Sequence, residues 1–207
     1  MTLDQYRSTA KRVADPVVSL FVRLGLTPNQ VSVLAVALAG AAGVAFALGG
    51  SNSLLYLLGA VFVFCNGALD VLDGELAREL GTDSAAGDLL DHVLDRYADI
   101  LLLVGLAAGS GRYALGLAAV TGVLMTSYLG TQAQAVGLDR VYGGLVGRAD
   151  RLVIIGLGAA VAAFVTGTIA AGPLGRLGVV GGLLVVFAVV GHLTALQRFY
   201  YSYRELA

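Results

Sequence analysis

Nine of the 14 acidic residues lie between positions 70 and 99. Asp70 and Asp73 are three residues apart and Asp91 and Asp95 are four apart, so on helices each pair occupies one face. A turn around Glu79–Ala86 would make the two helices antiparallel neighbours and bring the four carboxylates to one depth. Hard oxygen ligands of this kind favour Mg²⁺, Mn²⁺ or Ca²⁺ over zinc.

Small residues lie next to these carboxylates. Gly74 and Ala77 follow the first pair by about one turn, and Gly87 precedes the second pair by about one turn. They leave helix backbone bare where a bulky ligand can approach. The combination predicts metal-assisted chemistry on a phosphorylated substrate.

The other acids of the stretch have simpler interpretations. Solvation at a helix end accounts for Glu75, Glu79 and Asp83, and pairing with a basic group is an alternative to function for Asp88 and Asp99. For the four paired aspartates a passive role is disfavoured. An aspartate at the bilayer centre costs roughly 2.5–3.5 kcal/mol, and several together repel one another unless cations compensate.

The composition sets the class of protein. The chain has 207 residues, 57% hydrophobic and 13% charged, whereas soluble domains carry about a quarter charged residues. An all-α integral membrane protein is therefore predicted. The single Cys65 excludes an intrachain disulfide, the formal net charge of −1 argues against nucleic-acid binding, and no cleavable signal peptide is expected.

Six transmembrane helices are predicted, at 28–49, 54–78, 84–109, 112–137, 149–171 and 176–200. The first follows Thr27-Pro28-Asn29-Gln30, where Thr27 can cap the helix and Gln30 can complete a capping box. Gly and Ala in the helix interiors favour close helix–helix contact. One domain, 1–207, is expected, with the six-helix bundle at 27–207.

Residues 1–26 differ from the rest of the chain. Apolar side chains recur there at three- and four-residue steps, at Leu3, Tyr6, Ala10, Val13, Val17, Leu20 and Leu24, with basic residues between them. This pattern predicts an amphipathic helix in the membrane interface. A helix packed on the protein itself fits the pattern equally well.

Basic residues predict the orientation. With six spans, one side carries both termini and ten Arg and Lys residues: Arg7, Lys11, Arg12, Arg23, Arg78, Arg140, Arg148, Arg151, Arg198 and Arg204. The opposite side carries Arg112 and Arg176. By the positive-inside rule we expect a multi-pass cell-membrane protein with both termini and the site in the cytoplasm.

The acidic stretch matches a longer pattern. Asp70-Val-Leu-Asp73-Gly74-Glu-Leu-Ala77-Arg78 is followed after eight residues by Gly87, after three more by Asp91, and after another three by Asp95. This resembles the signature of the CDP-alcohol phosphotransferases. Thr27-Pro28-Asn29 before the first span, and Asp95-Arg96 with Asp99 following, are also typical of that family.

The resemblance implies an enzyme that moves a phosphatidyl-type group from a CDP-lipid to a small alcohol and releases CMP. It implies two divalent cations, Mg²⁺ or Mn²⁺, held by Asp70, Asp73, Asp91 and Asp95, with Asp95 also the general base. The residues that contact the CDP-lipid would be Asn29, Asp70, Asp73, Gly74, Ala77, Arg78 and Gly87. A homodimer in the lipid bilayer is expected. Paired cations would neutralise the diphosphate and leave the protein mainly alignment to perform.

The acceptor is predicted from Arg148 and Arg151, whose guanidinium forks suit phosphate oxygens. The region from Ser127 to Arg151 resembles the inositol-phosphate-using branch, and Gln132 is a further candidate acceptor contact. That branch usually has Lys and Arg where Gly130 and Gln132 stand. Glycerol phosphate, another polyol phosphate or an uncharged alcohol such as serine therefore stay open, and interfacial anchoring is the alternative role for the arginines.

Two other classes of membrane protein use intramembrane acids. An intramembrane prenyltransferase also binds a diphosphate through aspartates and Mg²⁺, but it would be longer, with two separated acidic motifs. A cation transporter would place its acids near the midplane, with an inverted repeat. Here the acids cluster at one face, and the sequence shows no repeat.

Overall fold

The computed structural model describes residues 7–139 and 144–207, and the side chains from position 14 onward within those ranges. Leu3, Tyr6 and Arg140 of the sequence predictions lie outside the described residues. The helices are α1 (Arg7–Arg23), α2 (Pro28–Leu48), α3 (Leu54–Leu80), α4 (Ala85–Ser110), α5 (Tyr113–Ala135), α6 (Arg148–Phe164) and α7 (Val179–Leu206). Between α6 and α7 a short antiparallel pair forms, β1 (Ile169–Ala170) and β2 (Arg176–Leu177). The predicted all-α class is confirmed.

Local capping sets where the helices around the acidic stretch begin and end. The predicted capping box at α2 is confirmed. The backbone N–H of Gln30 donates to Thr27 Oγ1 at 3.4 Å, and the backbone N–H of Thr27 donates to Gln30 Oε1 at 2.9 Å. Gly81 ends α3 in the left-handed conformation, with φ +61°. Ser84 then caps α4 by accepting from the Gly87 amide at 3.1 Å. A tight reversal therefore separates the two acidic helices.

The packing of α3 and α4 differs from the prediction. We expected these helices to pack against each other, but within the described residues α2 packs extensively against both, and α3 and α4 have few direct contacts. On its other side α3 packs against α6, and α4 packs against α5. Space therefore remains between the C-terminal end of α3 and the N-terminal end of α4. The aspartates of the motif lie there.

Close backbone contact between helices is confirmed at glycine. A Cβ on Gly105 of α4 would lie 2.3 Å from the carbonyl oxygen of Gly43 on α2. A Cβ on Gly191 of α7 would lie 2.8 Å from the carbonyl carbon of Gly122 on α5. Only a residue without a side chain fits at such crossings.

Helix α1 packs on the protein through one face. Ala14 and Val18 are buried in a small cluster with Val31 of α2 and Leu76 of α3. Other apolar residues of α1, including Val17 and Leu20, are exposed. Packing on the protein, one of the two predicted alternatives, therefore applies to part of the helix surface.

Within the part of the chain that the structure describes, four helices are long and apolar enough to cross a membrane: α2, α3, α5 and α7. Helix α4 has sufficient length, at 26 residues, but carries the acidic and basic residues of the motif. Helix α6 has 17 residues and begins with three charged positions in its first turn. The fold is that of a multi-pass membrane protein.

The end of the fifth predicted span was wrong. The predicted helix 149–171 ends at Phe164, and the next begins at Val179 instead of 176. Residues in between form the β1–β2 pair, which is braced by Arg112, whose guanidinium donates to the carbonyl oxygens of Leu174 and Arg176 at 3.2 and 2.5 Å. These contacts satisfy backbone groups that a helix would otherwise have paired.

The glycine crossing gives a first prediction. Gly105→Ala should lower the free energy of unfolding by about 1–3 kcal/mol, because the added Cβ has no room against α2. The measurement is the melting temperature of the purified protein in detergent micelles. Gly182→Ala on α7 is the matched control, since a Cβ there meets nothing within 4 Å. Equal melting temperatures for the two variants would contradict the close crossing.

Candidate active site

Three of the four predicted aspartates form one cluster. Asp70 from α3 and Asp91 and Asp95 from α4 each offer a carboxylate oxygen, and these oxygens all lie within 4.8 Å of one another. All three side chains are partly buried. The arrangement follows from the motif spacing, because each helix contributes acids from its end nearest the α3–α4 turn.

Asp73 lies beside this cluster, in a different environment. It is 6% exposed, and its Oδ2 accepts a hydrogen bond of 2.6 Å from Ser32 Oγ of α2. Ser32 was not selected from the sequence, because a serine near the start of an apolar helix carries no distinguishing pattern. Through it α2 fixes the second aspartate of the motif.

Arg148, at the first position of α6, contacts two of the clustered aspartates. Its guanidinium donates to Asp70 Oδ2, and it lies 2.6 Å from Asp95 Oδ1. The sequence prediction of an acceptor contact for Arg148 is compatible with this position, because the residue also lines the cavity described below. Its position joins α3, α4 and α6 through one fork of hydrogen-bond donors.

A second, deeper set of ion pairs lies one helical turn further along α4. Asp99 is 2% exposed and accepts a hydrogen bond of 2.8 Å from Arg151, which is 5% exposed. Arg96 lies 3.5 Å from Asp99 and 3.6 Å from Asp95. Asp99 therefore holds Arg151. Pairing with a basic group was one of the two roles predicted for Asp99 from the sequence. A solvent-facing interfacial anchor does not describe Arg151.

A cavity of about 1370 Å³ opens over the aspartates. Every residue predicted to contact the CDP-lipid lines it: Asn29, Asp70, Asp73, Gly74, Ala77, Arg78 and Gly87. A Cβ on Gly87 would meet Ser84 Oγ at 3.3 Å, so glycine keeps this wall close to the capping turn. Arg78, with a half-exposed side chain, pairs with Glu75 at 2.6 Å.

The predicted acceptor residues divide. Arg148 and Arg151 line the cavity, and Gln132 on α5 is not among the lining residues that the structure describes, although Gly130 of the same helix is. Arg198 lines it as well. From the sequence, Arg198 is counted only among the basic residues of the predicted cytoplasmic side; in the structure it is 9% exposed and donates to the carbonyl oxygen of Thr126 at 2.8 Å.

The donor set fits a divalent cation. Three carboxylates at this separation supply the charged oxygen ligands that Mg²⁺ and Mn²⁺ prefer, and His or Cys ligands of a zinc centre are not part of the cluster. A cavity of this size beside the cluster has room for a substrate that carries phosphate and a long apolar part.

Comparison with known proteins agrees with this geometry. Residues 25–194 match the CDP-alcohol phosphatidyltransferase family. The chain belongs to that family. The resemblance predicted from the motif is thus confirmed, and with it an enzyme of phospholipid biosynthesis.

Individual relatives point to one branch of the CDP-alcohol phosphatidyltransferases. The chain is 31% identical over 205 residues to the archaetidylinositol phosphate synthase of Methanothermobacter thermautotrophicus, covering 99% of this chain and 95% of the relative. The crystal structure of Mycobacterium tuberculosis phosphatidylinositol phosphate synthase with CDP-DAG bound is similar, with TM-score 0.76, 28% identity and coverage of 93% and 94%. The same enzyme in complex with manganese and citrate gives TM-score 0.77, 27% identity and coverage of 92% and 88%.

The buried ion pair predicts a stability effect. Asp99→Asn keeps the side-chain shape but leaves Arg151 without its charged partner, and breaking a buried pair costs about 3–5 kcal/mol. We expect a lower melting temperature in detergent than for the control Asp88→Asn, whose side chain is 73% exposed. A melting temperature for Asp99→Asn equal to that of the control would show that the pair does not stabilise the α4–α6 contact.

Proposed function

We propose that this CDP-alcohol phosphatidyltransferase transfers a phosphatidyl- or archaetidyl-type group from a CDP-lipid to an inositol phosphate, releasing CMP. The carboxylate cluster of Asp70, Asp91 and Asp95, beside buried arginines in one cavity, is the observation that carries the proposal. The names of the relatives support inositol phosphate as the acceptor.

The aspartates of the motif would hold the divalent cations. The carboxylate oxygens of Asp70, Asp91 and Asp95 lie close enough together to bind one ion. Asp73 is the fourth proposed ligand, and the hydrogen bond from Ser32 orients its carboxylate. Two ions, Mg²⁺ or Mn²⁺, are proposed from the family resemblance, and the manganese complex of the mycobacterial relative supports a divalent metal. When bound, such ions neutralise the diphosphate and polarise the phosphorus under attack.

Asp95 is proposed as the general base. Its two oxygens lie near Arg148 and Arg96, at 2.6 and 3.6 Å, and these contacts fix the orientation of the carboxylate. The acceptor hydroxyl oxygen forms a bond to the lipid-side phosphorus and gives its proton to Asp95. The bond from that phosphorus to the bridging oxygen breaks, and CMP leaves with the electron pair.

The acceptor phosphate is proposed to bind near Arg148. A guanidinium that lines the cavity and faces the base can hold a phosphate while the free hydroxyl of the same molecule approaches Asp95. Arg151, held by Asp99, keeps the start of α6 in place and adds positive charge to the same wall. Gln132 remains a predicted acceptor contact that the cavity lining does not support.

The proposed topology has six spans, α2 to α7. Helix α4 has the length of a span, and the 17 residues of α6 are at the short end of what crosses a bilayer. An even number of spans places both termini on one side, and the distribution of basic residues supports the cytoplasm for that side and for the site. We also propose that α1 lies in the membrane interface, on the basis of its amphipathic sequence pattern. A homodimer is proposed from the family resemblance.

Asp95→Asn tests the base. Because the amide cannot accept the proton, turnover should fall by about 10²–10⁴-fold while CDP-lipid still binds. CMP release and binding of radiolabelled CDP-lipid are the measurements. Glu79→Gln, an exposed change at the end of α3, should leave turnover unchanged. Near-normal turnover in Asp95→Asn would refute the assignment.

A panel of acceptors tests the substrate. Purified protein is incubated with CDP-lipid, Mn²⁺ or Mg²⁺ and, in separate reactions, inositol phosphate, glycerol phosphate, inositol or serine, and the lipid product is weighed by mass spectrometry. We expect a product only with inositol phosphate, and none when EDTA replaces the metal. A dominant product with serine or glycerol phosphate would overturn the proposed acceptor and leave the transferase chemistry in place.

A further inference from the structure

Asn66 is a buried amide on the helix that carries the first two aspartates. It is 1% exposed and lies in an apolar part of α3, outside the motif. Asp70 follows it by four residues and Asp73 by seven, so all three share one face of the helix. Asn66 is therefore the next polar side chain beneath the acidic cluster.

The orientation of the Asn66 amide is determined by α2. Its Nδ2 donates to the carbonyl oxygen of Ala35 at 2.9 Å, and since a carbonyl can only accept, the nitrogen must be on that side. The Oδ1 atom is turned the other way. It is buried and has no hydrogen-bond partner among the residues that the structure describes. Leaving such an oxygen without a donor costs about 1–3 kcal/mol.

A small cavity lies between Asn66 and the aspartates. It measures about 10 Å³ and is lined by Asn66, Ser32, Asp70, Asp73, Asp91 and Asp95, among others. This volume is near the lower limit for one water molecule. Its walls supply the acceptors and donors that a buried water requires.

We propose that Asn66 is a positioning residue of the metal centre: its Oδ1 accepts a hydrogen bond from a water in this small cavity, and that water donates its other hydrogen to the carboxylate cluster. Asn66 touches neither substrate nor metal in this assignment. It acts by holding the carboxylates from behind, in the way that outer partners orient metal ligands. The inference rests on the proposed metal site.

Asn66→Leu removes the acceptor and keeps the branching of the side chain at Cγ. We expect Mn²⁺ affinity, measured by isothermal titration calorimetry in detergent without substrate, to fall by about 10–100-fold. The melting temperature without metal should change little, because the variant loses the hydrogen bond to Ala35 but also removes a buried oxygen that has no partner among the described residues. A leucine variant that binds Mn²⁺ as tightly as the wild type would overturn the proposal.

Asn66→Asp provides a change of opposite sign. A further carboxylate facing the cluster adds to the attraction for a cation, so Mn²⁺ affinity should rise by at least about threefold. A merely structural asparagine would give no such increase. Should the leucine variant fail to fold, this variant decides, and an unchanged or weaker affinity counts against the proposal.

Val123→Ala is the matched control for lost stability. Val123 is a buried residue of α5, 2% exposed, that lines neither cavity. It should lower the melting temperature and leave Mn²⁺ affinity unchanged; an affinity loss equal to that of Asn66→Leu would show a general effect of destabilisation. Absence of Mn²⁺ binding in the wild type would instead refute the metal site itself, so the two failures are distinguishable.

Discussion

Mutual repulsion of carboxylates is the constraint on which the rest of this structure depends. Asp70, Asp91 and Asp95 bring oxygens within 4.8 Å of one another at the end of an apolar helix bundle, where the low dielectric strengthens repulsion. Nearby positive charge makes such a cluster tolerable. Arg148 supplies part of it, reaching Asp70 and Asp95 from α6. A site built this way attracts cations, and in the proposed function those cations would hold the diphosphate of a CDP-lipid.

Helix α2 makes the arrangement mechanically possible. Because α2 packs against both α3 and α4, those two helices need not pack against each other, and the space left between them becomes the cavity of about 1370 Å³. The backbone contact of Gly43 with Gly105 allows α2 to approach closely on the α4 side. On the α3 side Ser32 Oγ donates to Asp73 Oδ2, and the carbonyl oxygen of Ala35 accepts from Asn66 Nδ2. The same helix therefore both opens the site and orients its inner wall.

Sequence reasoning reached the motif residues and missed those without a pattern. The spacing of Asp70, Asp91 and Asp95 predicted their convergence, since helical periodicity determines which side chains share a face. Gln132 was placed by analogy alone, and it is absent from the cavity lining that the structure describes. Arg198 entered the prediction only through its charge, and only the packing of α5 against α7 shows that it is buried. Single polar residues such as Ser32 and Asn66 become informative only when helix packing shows what faces them.

The ion pairs are graded by depth, and the gradient separates their tasks. Side-chain exposure falls from 25% at Asp70 to 13% at Asp95 and 3% at Asp99, while it is 19% for Arg148 and 6% for Arg151. A pair sealed from solvent is costly to break, since neither charge can be rehydrated. The Asp99–Arg151 pair therefore fixes α4 against α6. The outer pairs are partly exposed, so replacing the arginine partner of Asp70 or Asp95 by a cation would cost less. The buried Asp99–Arg151 pair thus supports the proposed metal-binding carboxylates from one helical turn further along α4.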